Sequence, residues 1–384
     1  MSNSSALDFV LYCKIHKNAY ILPSGNLLLC RRQTLNGADS GNHEDEGRIA
    51  AKNVRQKRGN SMRKLSKICE DISVVDKQIT ELYKMRTKLT EEAAEQKFFD
   101  QENFFDFIGT DHFDFRDAAV VFQGEEGAYS QQALMEFCGA EAKIFHVETW
   151  REAMEAIAQG EADYAVLPIE NSSAGIVSEN FDLLVEYDNY IIGEQIIRTN
   201  HCLLGLKESG LSDITDVYSH PQALMQCSKY LNEHPEWEKH SMKNTAGSAK
   251  KVKEDEKRHK AAIAAGITAE IYGLKILAEG IENNVSNSTR FIIVTGKKVF
   301  QKDADKISIC FELPHKSGSL YRALSYLIYN NLNMNKIESR PIQGRTWEYR
   351  FFIDLEGNLS DENVQRALRG LEEGTEKLRI LGNY

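Results

Sequence analysis

Apolar residues are unphased over residues 1–61, and from Gln33 to Asn60 the chain is polar and charged. This stretch reads as a tail to which no function is assigned. From Leu65 the pattern changes. Leu65, Ile68, Ile72, Val75, Ile79, Leu82, Leu89 and Ala93 follow spacings of three and four, the stripe of a long helix with one apolar seam. One slot of that seam holds Arg86, a cation that either snorkels at the edge or awaits an anion. Such a helix cannot bury its seam alone, so the pattern predicts pairing with a second copy of the chain.

From Ala119 to Val294 strand and helix patterns alternate. "AAVVFQG" is a buried strand running into a glycine turn, and Thr149-x-x-Glu152 is a capping box opening a helix that ends at Gly160. "DYAVLPIE", "YIIGEQI", "AAIAAG" and "TRFIIV" are further strand candidates. This order predicts an α/β domain with helices over mostly parallel sheets, long enough for two lobes and a cleft. The last part reads as βαββαβ: "KISICFEL", "SGSLYRALSYLIYNN", "MNKIESRPI", "EYRFFIDL", "SDENVQRALRGLEE" and "KLRILGN". That is a ferredoxin-like order, with the second helix capped by Ser360 or Asp361. The run "KKVKEDEKRHK" reads as a solvated helix face.

Composition narrows the picture. A net charge of −10 argues against nucleic acid or an anionic membrane as partner. The 7 cysteines form no CxxC and no zinc spacing, which fits a reducing, cytoplasmic setting. No apolar run reaches the ~18 residues of a membrane helix, and the N-terminus lacks the layout of a signal peptide.

Polar groups at the carboxyl ends of strands in an open α/β sheet face the ligand crevice. "GEEGAYSQ" should leave backbone N–H groups of Gly124 and Gly127 free at a helix start. "PIENSSAG" ends a strand in Glu170 and Asn171, and a helix is expected from Ser172. "YSHPQALMQC" presents Ser219, His220 and Gln226, "NTAGSA" presents Asn244 and Thr245, and "NSTRF" presents Thr289 and Arg290. Taken singly, most of these are helix caps, turn residues or surface charges. Together they are hydroxyls and amides, with no metal set, no nucleophile–histidine pair and no Walker or GxGxxG loop. Such an inventory suits a site that binds an anionic small molecule and steers a leaving group without a cofactor.

The wording of these segments resembles the prephenate dehydratases, in particular the bifunctional chorismate mutase–prephenate dehydratases. "GEEGAYSQQA", "DYAVLPIENSSAG", "VYSHPQ", "QCSKYL", "NTAGSAK" and "NSTRFIIV" match the dehydratase motifs in order. "GSLYRAL" and "KIESRP" match the ACT module, an amino-acid sensor. The resemblance runs from residue 119 to the end. It implies a two-lobed dehydratase domain of periplasmic-binding-protein type over 118–297 and an ACT regulatory domain over 304–384. Thr289 is then the most critical catalytic residue, with Asn171, Glu170, Ser219 and Gln226 as the other site residues. Glu170, shielded in the cleft, is the expected proton source. Arg290 and the helix starts at Ser130 and Ser172 would take the carboxylates of prephenate, with Asn244 and Thr245 as a further cap. Phenylalanine would bind at Gly318, Ser319 and Leu320 and at Glu338, Ser339, Arg340 and Pro341. Alanine is usual in the family where Ser319 stands.

The helical segment, 62–117, resembles the first helix of the all-helical chorismate mutases. Arg86 and Lys97 fall on two of that family's substrate-binding positions, but Cys69 replaces its first arginine. The segment is also too short for the usual three helices. Chorismate is dianionic, and losing a contact to a charged group costs ~1.5–3 kcal/mol, so mutase activity is expected to be weak or absent. The reading is thus a cytoplasmic prephenate dehydratase, feedback-inhibited by phenylalanine and assembled as a homodimer or homotetramer. Its rivals are an arogenate dehydratase and a non-catalytic amino-acid-sensing binding protein.

Overall fold

The structure, a computed structural model, describes residues 19–21, 27–29, 66–82, 84–86, 88–89 and 106–384. The chain divides into two compact units, 1–81 and 82–384. In the first, Ala19–Ile21 pairs antiparallel with Leu27–Leu29. Residues 66–81 of the first unit and 82, 84–86 and 88–89 of the second are helical, and the seam residues Ile68, Ile72, Val75, Ile79, Leu82 and Leu89 are all exposed.

The second unit opens with a lobe of β1 (Ala119–Gln123), α1 (Tyr129–Cys138), β2 (Lys143–Val147), α2 (Trp150–Ala158), β3 (Tyr164–Asn171), β4 (Gly175–Ile176), α3 (Ser178–Glu186) and β5 (Tyr190–Arg198). The chain then crosses to a second lobe. That lobe comprises β6 (His201–Gly205), β7 (Asp216–Ser219), α4 (Pro221–Gln226), α5 (Ser228–Asn232), β8 (Glu238–Ser241), α6 (Thr245–Asp255), β9 (Lys260–Ala265), α7 (Gly266–Tyr272) and β10 (Lys275–Ala278). It returns as β11 (Ser288–Thr295), which inserts between β5 and β3. The first-lobe order is therefore β5-β11-β3-β1-β2, and the second-lobe order is β8-β7-β9-β6-β10.

The expectation of mostly parallel sheets needs correction. β1 is parallel to β2 and β3, and β7 is parallel to β8 and β9. β11 runs antiparallel to both its neighbours, however, and so does β6. Strands that carry the chain between lobes enter each sheet from the far end, which reverses their direction. The second-lobe strands are apolar on successive residues because both faces are covered. Leu204, Ala262 and Ala264 pack on one side, while Leu203, Val217 and Ile263 pack on the other.

The helix boundaries follow local chemistry. At α2 the Thr149 and Glu152 side chains each cap the other's backbone, as the sequence predicts. Ser172 starts no helix. Asn171 Oδ1 accepts from the N–H groups of Ser173 and Ala174 at 3.0 and 2.8 Å, and this turn sends the chain back to pair Gly175 with Asn171. The helix begins only at Ser178. Asp361 occupies the cap position of the last helix, but its carboxylate accepts from Asn358 N–H rather than from the helix.

The C-terminal module is β12 (Lys306–Glu312), α8 (Ser319–Tyr329), β13 (Met334–Pro341), β14 (Tyr349–Glu356), α9 (Glu362–Gly374) and β15 (Glu376–Asn383), with strand order β13-β14-β12-β15. Its sheet continues into the first lobe, because β15 lies parallel to β5 with Gly382 opposite Ile191. Cys310, Phe352 and Leu381 belong to the same buried cluster as Leu167, Phe181 and Leu184. Each large apolar side chain buried there contributes about 1.5–3 kcal/mol, so the module is fused to the lobe and not merely tethered to it. The join depends on a missing side chain: a Cβ at position 382 would sit 2.1 Å from the carbonyl oxygen of Ile191. Gly382→Ala should therefore destabilise the protein by about 1–3 kcal/mol. In urea unfolding it should lower the midpoint or separate the module's transition from that of the lobe.

Candidate active site

Three strand ends and two crossovers meet between the lobes. β3 ends at Asn171 and β11 begins beside it, with Thr289 opposite Asn171 in register. Asn171 uses its whole side chain. Its Oδ1 takes the two turn N–H groups, which fixes the amide so that Nδ2 donates to Thr289 Oγ1 at 2.9 Å and to Ser288 O at 3.2 Å. The Thr289 hydroxyl accepts that bond and, among the described residues, donates to no protein acceptor. Ser172 Oγ accepts from Ser288 N–H at 2.9 Å, so it braces the loop and opens no helix.

The crossovers are tied to each other. Thr199 N–H donates to Asn287 O at 2.9 Å, Ile281 N–H to His201 O at 3.2 Å, and His201 N–H to the buried Glu282 carboxylate at 3.1 Å. A chain of side chains runs through this hinge. Tyr129 OH lies 3.2 Å from His201 Nδ1, and His201 Nε2 lies 3.0 Å from Gln226 Oε1. With Oε1 accepting, the proton of His201 sits on Nε2 and the Gln226 amide N–H groups remain available. Gln226 borders a cavity of about 210 Å³ together with Ser173, Glu282, Asn283, Asn284 and Asn287. Asn287 is buried there with no partner for its Nδ2. Ser173, which borders this cavity, also donates its N–H to Asn171 Oδ1.

Burial holds the His201 imidazole below its ordinary titration range, against the opposing pull of Gln226 and Glu282. Burial also raises the Tyr129 hydroxyl well above the phenol range, and pushes the Cys202 and Cys227 thiols up to about 11 and about 12. Burial thus disfavours the charged forms of the imidazole, the phenol and both thiols.

Other residues singled out from the sequence are placed differently. The Gly124 and Gly127 N–H groups are not free, since they donate to Val147 O at 3.0 Å and Gln131 Oε1 at 2.6 Å. Gly127, at φ 87°, lies against Thr268 of the second lobe, whose hydroxyl donates to Gly127 O at 2.9 Å. Ser130 lies in the first turn of α1, is buried, and donates to Gln123 O at 2.7 Å. Ser219 is fully buried and donates to Ile263 O at 2.7 Å. His220 caps α4, accepting from Gln222 N–H. Asn244 caps α6 through Gly247 N–H at 2.6 Å, with Thr245 as the first helical residue.

Glu170 and Arg290 require correction. Glu170 is not shielded in the cleft, because its Oε2 lies 2.6 Å from Lys336 Nζ of the C-terminal module. Arg290 is not left for a substrate carboxylate, because its guanidinium is 2.9 Å from Asp354 and 3.5 Å from Glu194. The physical reason is the two-residue period of a strand: neighbours of Asn171 and Thr289 point to the opposite face.

In the C-terminal module, Gly318 at φ 78° precedes α8, and Ser319 donates to Pro314 O and Lys316 O at 2.8 Å. Leu320 is exposed. Glu338, Ser339, Arg340 and Pro341 run along β13, which has one strand neighbour among the described residues, and Arg340 is ion-paired with Asp182 of α3. The Arg86 guanidinium lies over the Tyr326 ring, 5.8 Å from its centroid. Lys97 lies outside the described residues. Asp216, Glu238 and His240 bring potential metal-ligating atoms together at the end of β7 away from Ser219. There His240 Nε2 is already bonded to Asp216 at 2.8 Å.

Fold and site together define a hinged two-lobe α/β protein, with amides and a hydroxyl at its strand ends and a ferredoxin-like module fused to one lobe. The prephenate dehydratase family model matches residues 120–299. The bifunctional chorismate mutase/prephenate dehydratase of Escherichia coli K12 is 35% identical over 273 residues, 70% of each chain. A chloroplastic arogenate dehydratase/prephenate dehydratase 2 of Arabidopsis thaliana is 36% identical, over 69% of this chain and 72% of that one. Among solved structures, the prephenate dehydratase of Arthrobacter aurescens in complex with L-Phe is 34% identical with a TM-score of 0.64, covering 69% of this chain and 89% of that one. GqqA, described as a quorum-quenching acylase, is 31% identical at the same TM-score, covering 69% and 96%. The chain belongs to the prephenate dehydratase family.

The hinge histidine generates a pH prediction. Its folded pKa is depressed below the unfolded value near 6.5. Below that value the unfolded chain binds a proton that the folded one does not, so this stability is present above pH 6.5 and lost as pH falls. His201→Gln should flatten the difference in urea midpoint between pH 7.5 and pH 5.5 relative to the parent protein.

Proposed function

We propose that the chain converts prephenate to phenylpyruvate, with carbon dioxide and water as the other products, and that phenylalanine binding at the C-terminal ACT module lowers this activity. The observation that carries the reading is the Asn171–Thr289 hydrogen bond at 2.9 Å. Asn171 occupies the lone-pair side of the hydroxyl, so the Thr289 proton is left to point at a departing oxygen.

In the reaction the electron pair of the C–carboxylate bond moves into the ring as CO2 leaves. The ring C–O bond breaks, and the leaving hydroxide takes up a proton to become water. Thr289 is far too weak an acid to ionise at neutral pH. It stabilises the charge growing on the leaving oxygen, and accepting from Asn171 makes it a better donor. The amide N–H groups of Gln226 and Asn287 are the nearby donors for the rest of the dianion. Family membership supports the substrate class, and the Arthrobacter enzyme solved with L-Phe supports the effector. The exposed seam of the N-terminal helix and the one-sided β13 support assembly as a homodimer or homotetramer.

Thr289→Ala should lower kcat for prephenate by ~10²–10³, the usual cost of losing one such donor, with an unchanged circular dichroism spectrum and melting point. Phenylpyruvate release from prephenate, run in parallel with phenylalanine release from arogenate, checks it. Near-parental turnover by this variant would remove Thr289 from the chemistry.

A further inference from the structure

Two rungs of the β3–β11 ladder lie side by side. Asn171 faces Thr289, and on the next rung Glu170 faces Arg290. In the C-terminal module a third rung pairs Lys336 with Asp354 across β13 and β14. The second and third rungs are stacked against each other. Glu170 Oε2 lies 2.6 Å from Lys336 Nζ, and Arg290 Nη2 lies 2.9 Å from Asp354 Oδ2. The four charges alternate in sign around a square, two of whose sides are these ion pairs and two the register pairings Glu170–Arg290 and Lys336–Asp354.

Three corners of the square are shielded, the Arg290, Asp354 and Lys336 side chains being 17%, 6% and 15% exposed, while Glu170 is 40% exposed. Coulomb attraction at the Arg290–Asp354 side is far less screened than on a surface. Two corners are held from behind. Ser308 donates to Asp354 Oδ1 at 2.6 Å and is itself 2.8 Å from the buried Tyr384 hydroxyl. Lys336 Nζ sits over the Phe181 ring, 5.3 Å from its centroid. The ladder, by contrast, slips register between Arg290 and Phe291. A bulge one residue beyond the square re-aims side chains and interrupts the backbone's own control of the rung. Thr289 is paired in register with Asn171 on one side and Ile197 on the other, and the charged rung lies between it and the bulge.

We propose that Glu170 and Arg290 are positioning residues, through which the C-terminal module sets the orientation of the Asn171–Thr289 pair. This rests on the dehydratase reading of that pair. Movement of the module's sheet against the first lobe shears the square and turns Thr289 away from the leaving oxygen.

The test compares Lys336→Met and Lys336→Arg in the full chain. Lys336 is in another module and bonds to Glu170, not to Asn171 or Thr289. Even so, Lys336→Met should lower kcat about tenfold, within the ~10² that a 1 Å misplacement can cost, with little change in KM. Lys336→Arg should retain most of the turnover. A second readout does not depend on turnover: the side-chain amide signals of Asn171 in ¹H–¹⁵N spectra, identified by their loss in Asn171→Asp, should shift in Lys336→Met. Parental kcat and unshifted signals in Lys336→Met would overturn the proposal. A parental chain that does not turn over prephenate would refute the dehydratase reading instead, and the amide signals would still decide whether the square positions Asn171.

Discussion

The antiparallel pairing of β3 with β11 is the constraint on which the rest of this structure depends. β3 ends inside the first lobe, and β11 arrives from the second, so their pairing closes the loop that the chain makes between the lobes. It brings residues more than a hundred positions apart, Asn171 and Thr289, to 2.9 Å. It also sets the hinge: the residues just before β11 bond to Thr199 and His201 on the outgoing crossover. Disturbing that pairing would loosen the site and the hinge together.

Within this frame the polar groups are arranged by satisfaction. A buried donor or acceptor left unmade costs about 1–3 kcal/mol, and the hinge accordingly pairs Tyr129, His201, Gln226 and Glu282 with one another or with backbone. The exceptions are informative. Among the described residues the Thr289 proton, the Gln226 amide N–H groups and the Asn287 Nδ2 have no acceptor, and Gln226 and Asn287 border one cavity. A cluster of spare donors is what a dianionic ligand losing an oxygen would use.

The C-terminal module is part of the same solid. Phe352 and Leu381 pack among first-lobe residues, and Phe181 meets Phe352 with ring centroids 4.8 Å apart. Since close-packed interiors transmit displacement rather than absorb it, a sheet joined at Gly382 and stapled by four charges cannot shift without moving the ends of β3 and β11. On the proposed reading, the module's position and the geometry of the Asn171–Thr289 pair are coupled through these contacts.

Much of this was legible in the sequence by itself. Apolar runs located β1, β3, β5, β9 and β11, the Thr149–Glu152 pair located a helix start, and the order of elements gave the C-terminal module. The short polar words at strand ends and helix starts offered Asn171, Gln226 and Thr289 among other candidates, and the resemblance to the prephenate dehydratase motifs singled them out. A two-residue period could also have warned that Glu170 and Arg290 face away from Asn171 and Thr289. What they face instead, Lys336 and Asp354, had no signal, since an ion pair between distant segments leaves no local pattern. His201, Glu282 and Asn287 were overlooked for the same reason: each gains its role from a partner brought near only when β5 and β11 converge. Local propensity and periodicity are written in neighbouring residues. Which side of a strand meets solvent, substrate or another module is decided by how the sheets dock.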